Sequence, residues 1–374
     1  ADQASRLVAR LDFDRYKATI KELTRFGDRR QGTQRNRDAV DWIEAQLKSY
    51  GCPTERLKYV YGEVGRTGSE PRVEYLSEAK GDEPARTLGG GRGRYRRNPT
   101  YLNGDPNRQP DTKLRALNMP AAVPGPREEV YCTKVGATHP EEMYIVSAHM
   151  DGHGWGEAAN DDGSGTALVM ELARILNSPG VTAERTIRFA LWNNEETGHQ
   201  GSHAYVEQRR GMRGKEMPAG SGKYPEPKWL GIIQHDMMLF DHGGPRADGS
   251  ISPEQRNEAD INIEFQSASK FAGDSNTLAW AIQSANERYA ADYPAVIGSH
   301  MTNTDSVDFQ DDAPSVSLRE NERGTQIGSG WDPHWHQPTD VFATFNDKDF
   351  RLGFNAAQTT LGAVARLAGA RPGR

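Results

Sequence analysis

Residues 146–196 read VSAHMDGHGWGEAANDDGSGTALVMELARILNSPGVTAERTIRFALWNNEE. An apolar run, Tyr144 to Ala148, ends in His149 and Asp151. A turn-rich loop carries Asn160, Asp161, Asp162 and Gly163, and an amphipathic segment follows. A second apolar run, Ile187 to Trp192, ends in Glu195 and Glu196. This pattern predicts strand, acidic loop, helix, strand. Metal-ligand residue types then collect at the carboxyl ends of two strands, where open α/β sheets place their sites.

Imidazole nitrogen combined with carboxylate oxygen is a donor set that suits zinc. Asp151, Asp161, Asp162, Glu195 and Glu196 packed together would raise one another's pKa unless a cation neutralised them. An Asp-Asp-Gly loop alone is usually solvated, and a His-x-Asp pair alone is equally uninformative. Two acidic clusters after apolar strands, bracketing a helix, argue against the solvated reading.

The segments SAHMDG, ANDDGSG and NNEETGHQGS together resemble the zinc-dependent aminopeptidase family M28. Downstream, IIQHDMM ends in Asp236, NTDSVDF carries Asp305, and HWHQPTD carries His336 and Asp340, in the family's order. The resemblance covers roughly residues 130–370 and, more loosely, 20–60. It implies that His149 and Asp236 hold one zinc ion, Glu196 and His336 a second, and that Asp161 bridges the two. It implies a cis peptide between Asp161 and Asp162. It makes Asp151 and Asp340 the acids that orient His149 and His336, and Glu195 the general base. Trp335 departs from the pattern, standing where the family often has an oxyanion-stabilising Tyr; indole offers a single N–H. His334, two residues before His336, is the alternative ligand; His153, His199, His203 and His300 read as pocket or surface residues. His235, beside Asp236, reads as a sheet histidine facing away from the site.

The rest of the chain is consistent with this reading. Its 374 residues suffice for one large α/β domain, and a net charge of −6 leaves no nucleic-acid footprint. No apolar run approaches the roughly 18 residues of a membrane span. Cys52 and Cys132 lie in no Cys-x-x-Cys pair, which disfavours a zinc–thiolate site. They fit either a disulfide or two separate buried thiols. The start, Ala1-Asp2-Gln3, lacks a basic-then-apolar signal and fits a mature end, so a secreted or periplasmic location is expected.

Phe13, Tyr16, Ile20 and Leu23 recur at helical spacing, as do Val40, Ile43, Leu47 and Tyr50. Arg29 and Arg30, between these helices, read as solvated or acid-paired. Leu57 to Tyr61 reads as a strand. Residues 62–126 are rich in Gly, Pro and Arg and read as an insertion, with a short strand near Val73–Leu76. Its LGGGRGRYRR lacks the strand and helix context of a dinucleotide fingerprint. Later strands are expected at Leu230 to His235, Ile261 to Phe265 and Ser315 to Leu318. Helices are expected at Gly198 to Gln208, Ser275 to Tyr289 and Asp347 to Leu367.

The expected fold is a single-domain α/β/α sandwich over residues 1–374, with a mixed, mostly parallel central sheet. The expected activity is that of a di-zinc exopeptidase acting on peptides, an aminopeptidase in the first instance. Rivals are a carboxypeptidase or dipeptidase of the same superfamily, a one-zinc glutaminyl-cyclase-like acyltransferase, and a non-catalytic receptor ectodomain. The stretch Arg319-Glu320-Asn321-Glu322-Arg323, expected as a loop, offers acids for a substrate amine and forked donors for a substrate carboxylate.

Overall fold

Among the described residues, eight strands form one mixed sheet: β1 (Thr54–Tyr61), β2 (Gly125–Lys134), β3 (His139–His149), β4 (Arg185–Trp192), β5 (Lys228–His235), β6 (Ile261–Glu264), β7 (Ala295–Gly298) and β8 (Ser315–Glu320). The computed structural model describes residues 2–61, 105–240, 261–301, 303–320 and 332–373. The strand expected near Val73–Leu76 lies outside them, as do residues 321–323. Sheet order is β1-β2-β4-β3-β5-β8-β6-β7. β4, β3, β5 and β8 run parallel to one another; β1–β2, β2–β4 and β6–β8 pair antiparallel, and β6–β7 pair parallel.

Among the described residues, eight α-helices accompany the sheet: α1 (Gln3–Val8), α2 (Phe13–Thr24), α3 (Gln34–Ser49), α4 (Thr112–Asn118), α5 (Gly163–Leu176), α6 (Gln200–Arg209), α7 (Ala272–Tyr289) and α8 (Asp347–Leu367). Strand alternation divides the interior into two cores. Val146, Ala148, Ile187, Phe189 and Leu191 face the larger core, which α2, α3, α5 and α8 cover. Met143, Ile145, Ala190 and Trp192 face a smaller one with Tyr205 of α6 and Phe309. Helices on both faces make the three-layer sandwich that the sequence predicts. Phe189 is fully buried, so truncation to Ala would cost about 3–5 kcal/mol.

Helix starts follow local chemistry. Thr33 caps α3 through the Asn36 N–H, Asp162 caps α5 through the Gly165 N–H, and Asn346 with Asp349 forms a capping box on α8. Each such cap stabilises by about 1 kcal/mol. Cys52, after α3, is joined by a disulfide to Cys132 of β2, with Cα atoms 5.6 Å apart. No described helix is long and apolar enough to cross a membrane.

Several local expectations change. β4 ends at Trp192, where the apolar run ends, and Glu195–Thr197 beyond it is a 3-10 turn. A left-handed Asn194, φ 64°, breaks the strand. Arg319 and Glu320 belong to β8 and are buried, not in a loop. The helices α1 and α4 and the strand β7 are additional. Arg29 is neither solvated nor hydrogen-bonded to an acid. It is fully buried and donates to the carbonyls of Met150, Glu157 and Ala158 at 2.8, 2.8 and 2.7 Å.

Candidate metal centre

Three parallel strands end together. Ala148 of β3 pairs with Leu191 of β4 and with His235 of β5. His149 therefore closes β3, and Asp236 follows β5 on the next strand but still beside it. The His149 backbone is held by Asp162, which accepts its N–H, and by Thr166, which donates to its carbonyl. Its Nδ1 lies 3.0 Å from the Asp151 carbonyl oxygen. A carbonyl only accepts, so Nδ1 carries the proton and Nε2 presents a lone pair.

That lone pair meets oxygens. Nε2 is buried without a hydrogen-bond partner, yet lies 3.2 Å from Asp161 Oδ1 and 3.6 Å from Asp236 Oδ1. Across the site, His336 Nε2 lies 3.2 Å from Asp161 Oδ2 and 2.7 Å from Glu196 Oε2. Glu196 Oε1 is likewise buried and unpartnered. These side chains converge on two shared points, one beside each histidine. Two histidines and three carboxylates in this arrangement fit divalent cations. Asp161 reaches both halves, one oxygen to each.

Asp162, with His149 and Asp236, forms a second grouping tight enough for a metal. Its oxygens, however, accept the N–H groups of His149, Gly165 and Met237. Asp161 instead turns one oxygen toward each histidine. The peptide between them is cis.

The electrostatics of the cluster fit a cation. Burial would push the His149 imidazole down, but Glu195, Asp151 and Asp161 push it well above its usual range. A cation at the centre would replace that proton. Burial raises Asp161, and the two histidines pull it down to about 2. Burial pushes Glu196 well up, and the Asp161 charge adds to this. Asp236 is held well below its usual range against burial, first by the Arg319 guanidinium, 2.7 Å from its Oδ2.

The two acids expected to orient the histidines also hold backbone. Asp151 faces His149 Nδ1 with its backbone carbonyl at 3.0 Å and its Oδ1 at 3.7 Å, and its carboxylate accepts the N–H groups of Glu195 and Glu196 at 3.0 and 3.3 Å. The Asp340 carboxylate accepts the N–H groups of Asn160 and Asp161 at 2.8 and 3.1 Å, so it shapes the backbone at Asp161. Trp335 stacks on the His336 ring, with centroids 4.2 Å apart. Gly154 lets the loop after β3 approach: a Cβ there would sit 2.3 Å from the His336 carbonyl carbon, at φ +98°. His235 is satisfied by the Ser147 carbonyl and Thr360, and burial takes it down to about 4.

Sequence reading missed the Arg319–Asp236 pair and the bracing of the turn. Leu318 lies beside His235, so Arg319 and Asp236 are the next neighbours along β8 and β5. A cation ending one strand beside an acid ending the next was the available signal. Asn36 of α3 exchanges side-chain amide hydrogen bonds with Asn193 at 3.0 and 2.9 Å. Nothing in a single sequence couples positions so far apart.

The comparisons bear on the same region. The family model of Peptidase family M28 matches residues 129–359. Carboxypeptidase Q of Xenopus laevis is 37% identical over 98 residues, 25% of this chain and 20% of that protein. Aminopeptidase YwaD of Bacillus subtilis is 44% identical over 69 residues, 18% of this chain and 14% of that protein. The chain thus spans about a fifth or less of the length of these two curated relatives. An aminopeptidase from Aneurinibacillus sp. strain AM-1 shares the fold, with TM-score 0.62, 18% identity, and 99% of this chain and 97% of that chain covered. So does a glutaminyl cyclase of Bacteroides thetaiotaomicron, with TM-score 0.58, 15% identity, and 95% and 97% covered. The family match takes in more than half of the chain, including every side chain of the cluster described above, and so the chain belongs to peptidase family M28.

Proposed function

We propose that the chain is an aminopeptidase that works with two zinc ions, removing N-terminal residues from peptides. The observation that carries the proposal is Asp161, whose two oxygens each lie 3.2 Å from the Nε2 of a different histidine. His149 and Asp236 would hold one ion, Glu196 and His336 the other, and Asp161 both. Bound zinc would supply Lewis acidity, polarising the scissile carbonyl and making a nearby water more acidic. Glu195 takes a proton from the attacking water and returns it to the leaving amine. Asp151 keeps the Glu195 and Glu196 backbone in register for that exchange.

The end of the substrate that is read follows from charge. A carboxypeptidase needs a forked cation for the terminal carboxylate. Arg319 is 3% exposed at its side chain and is engaged with Asp236 and the Asn303 carbonyl. Glu320 accepts from Asn160, Leu239 and Phe240. The acid left facing the centre is Glu195, which suits a substrate ammonium. The carboxypeptidase Q likeness favours a carboxypeptidase or dipeptidase as second reading. A full five-donor set speaks against a one-zinc acyltransferase. The disulfide supports an oxidising compartment, secreted or periplasmic.

The test is a peptide panel, with added zinc or chelator. Cleavage of a free dipeptide amide, abolished by chelator, is the expected result. Cleavage of the N-acetylated dipeptide acid but not the amide would overturn the aminopeptidase reading.

A further inference from the structure

His199 lies outside the metal-facing set, at the start of α6. Its backbone is left-handed, φ 55°, directly after Gly198 at φ 99°. A non-glycine residue there is uncommon, although Asn, Asp and His are enriched in this region. Strain of this kind persists where the surroundings over-determine it, and it is a reason to look for function. The N–H groups of Gly198 and His199 both donate to the Glu195 carbonyl at 2.9 Å. The turn therefore wraps His199 back onto the residue it follows. At the N-cap of a helix a polar side chain usually bonds the first turn. The His199 ring makes no such bond.

The ring goes to Glu195 instead. Its Nε2 lies 3.4 Å from Glu195 Oε1 and 3.3 Å from Asn303 Oδ1. Both neighbours are acceptors, so Nε2 carries a proton in this arrangement. The other Glu195 oxygen, Oε2, lies 3.9 Å from His149 Nε2 and faces the metal centre. The carboxylate is thus divided, one oxygen toward the reaction and one toward His199. The nearby acids are engaged elsewhere: Asp305 accepts from Gln234, and Asp308 from Ser202.

We propose that His199 is a positioning residue for the general base, holding Glu195 Oε1 through Nε2–H so that Oε2 faces the attacking water. The inference rests on the assignment of Glu195 as base. Apo hydrogen bonds at such sites are commonly long and tighten in the substrate complex. Without the ring, the Glu195 side chain would sample other rotamers, and the fraction of productive complexes would fall. The loss should therefore appear in kcat and not in KM.

The test uses two amides. Gln can place an N–H near the position of Nε2. Asn tolerates the left-handed backbone but is too short to reach Oε1. His199→Gln, His199→Asn, Glu195→Gln and the double variant Glu195→Gln with His199→Asn would be assayed for kcat, KM and metal content. His199→Asn is expected to lose about 10–100-fold in kcat, with KM within about threefold and wild-type metal content. His199→Gln should keep kcat within about threefold of wild type. The double variant should be no slower than Glu195→Gln alone, because there is no longer a base to position. Wild-type kcat in His199→Asn, equal losses in both amides, or a further loss in the double variant would each overturn the positioning role. Near wild-type turnover in Glu195→Gln would remove the base assignment, and this inference with it.

Discussion

The two halves of the proposed metal centre are built differently. His149 and Asp236 stand at or just past the ends of β3 and β5, whose parallel ladder fixes both backbones. Glu196 and His336 stand on a 3-10 turn and on a left-handed residue, φ 53°, outside any strand. The strand-borne half adds Asp162 and Thr166 on the His149 backbone and Arg319 against Asp236. The turn-borne half needs several: Asp151 on two N–H groups, Asn193 tied to Asn36, and Trp335 stacked on His336. A ladder shares its bonds among many residues, whereas a turn must be held by named side chains. Outer-shell substitutions should therefore affect the two halves separately.

Four experiments probe that asymmetry. Asp161→Ala removes the residue shared by both halves. Activity should fall to background, and elemental analysis should find both ions depleted; full occupancy by two ions would end the bridging assignment. Glu195→Gln should leave both halves metal-replete while turnover falls about 10²–10⁴-fold, the range of general acid–base catalysis.

Arg319→Met should act on the strand-borne half alone. One ion should bind about 10–100-fold more weakly, as for other outer-shell partners. The apo protein should lose about 3 kcal/mol, because Asp236 is left as a buried unpaired charge. Metal titration and thermal melting read both effects, and equal weakening of the two ions would contradict the division. The smallest change is expected from Asn36→Ala. It leaves the Asn193 amide under-satisfied, costing about 1–3 kcal/mol of stability. Through the turn it should slow turnover by about tenfold or less. Unchanged kinetics with lowered stability would show that the turn does not depend on the amide pair.

The same contrast explains what could be read in advance. β3, β4 and β5 are continuous apolar runs, and a ligand type at the end of such a run is visible in one dimension. Hence the layers could be written down from the apolar runs, while the family, with His149, Asp161, Glu196, Asp236 and His336 as its implied ligands, came from the resemblance of the motifs. The path of the chain at Glu195 could not. Asn193 and Asn194 look like an ordinary strand end until the left-handed Asn194 is seen. β7 is four residues at the sheet edge, too short for periodicity to register. α4 buries little of its seven residues, so its spacing carries no amphipathic signal. Arg29 was the plainest misreading: an arginine in a polar segment looks solvated, and its burial comes from carbonyls more than a hundred positions away.

That last contact carries a consequence for how the chain assembles. α2, α3 and Arg29 leave the ribosome well before residues 150–158, and domains generally begin folding from the N-terminal end. Until β3 has been made, the Arg29 guanidinium has no carbonyls to displace its water, and the helices it joins have no sheet to cover. Closing a separation of more than a hundred residues is slow, since the loop entropy is lost before the contacts repay it. The earliest segment must therefore wait for the middle of the chain, and the loop that bears Asp161 takes its shape only when the two ends of that wait meet.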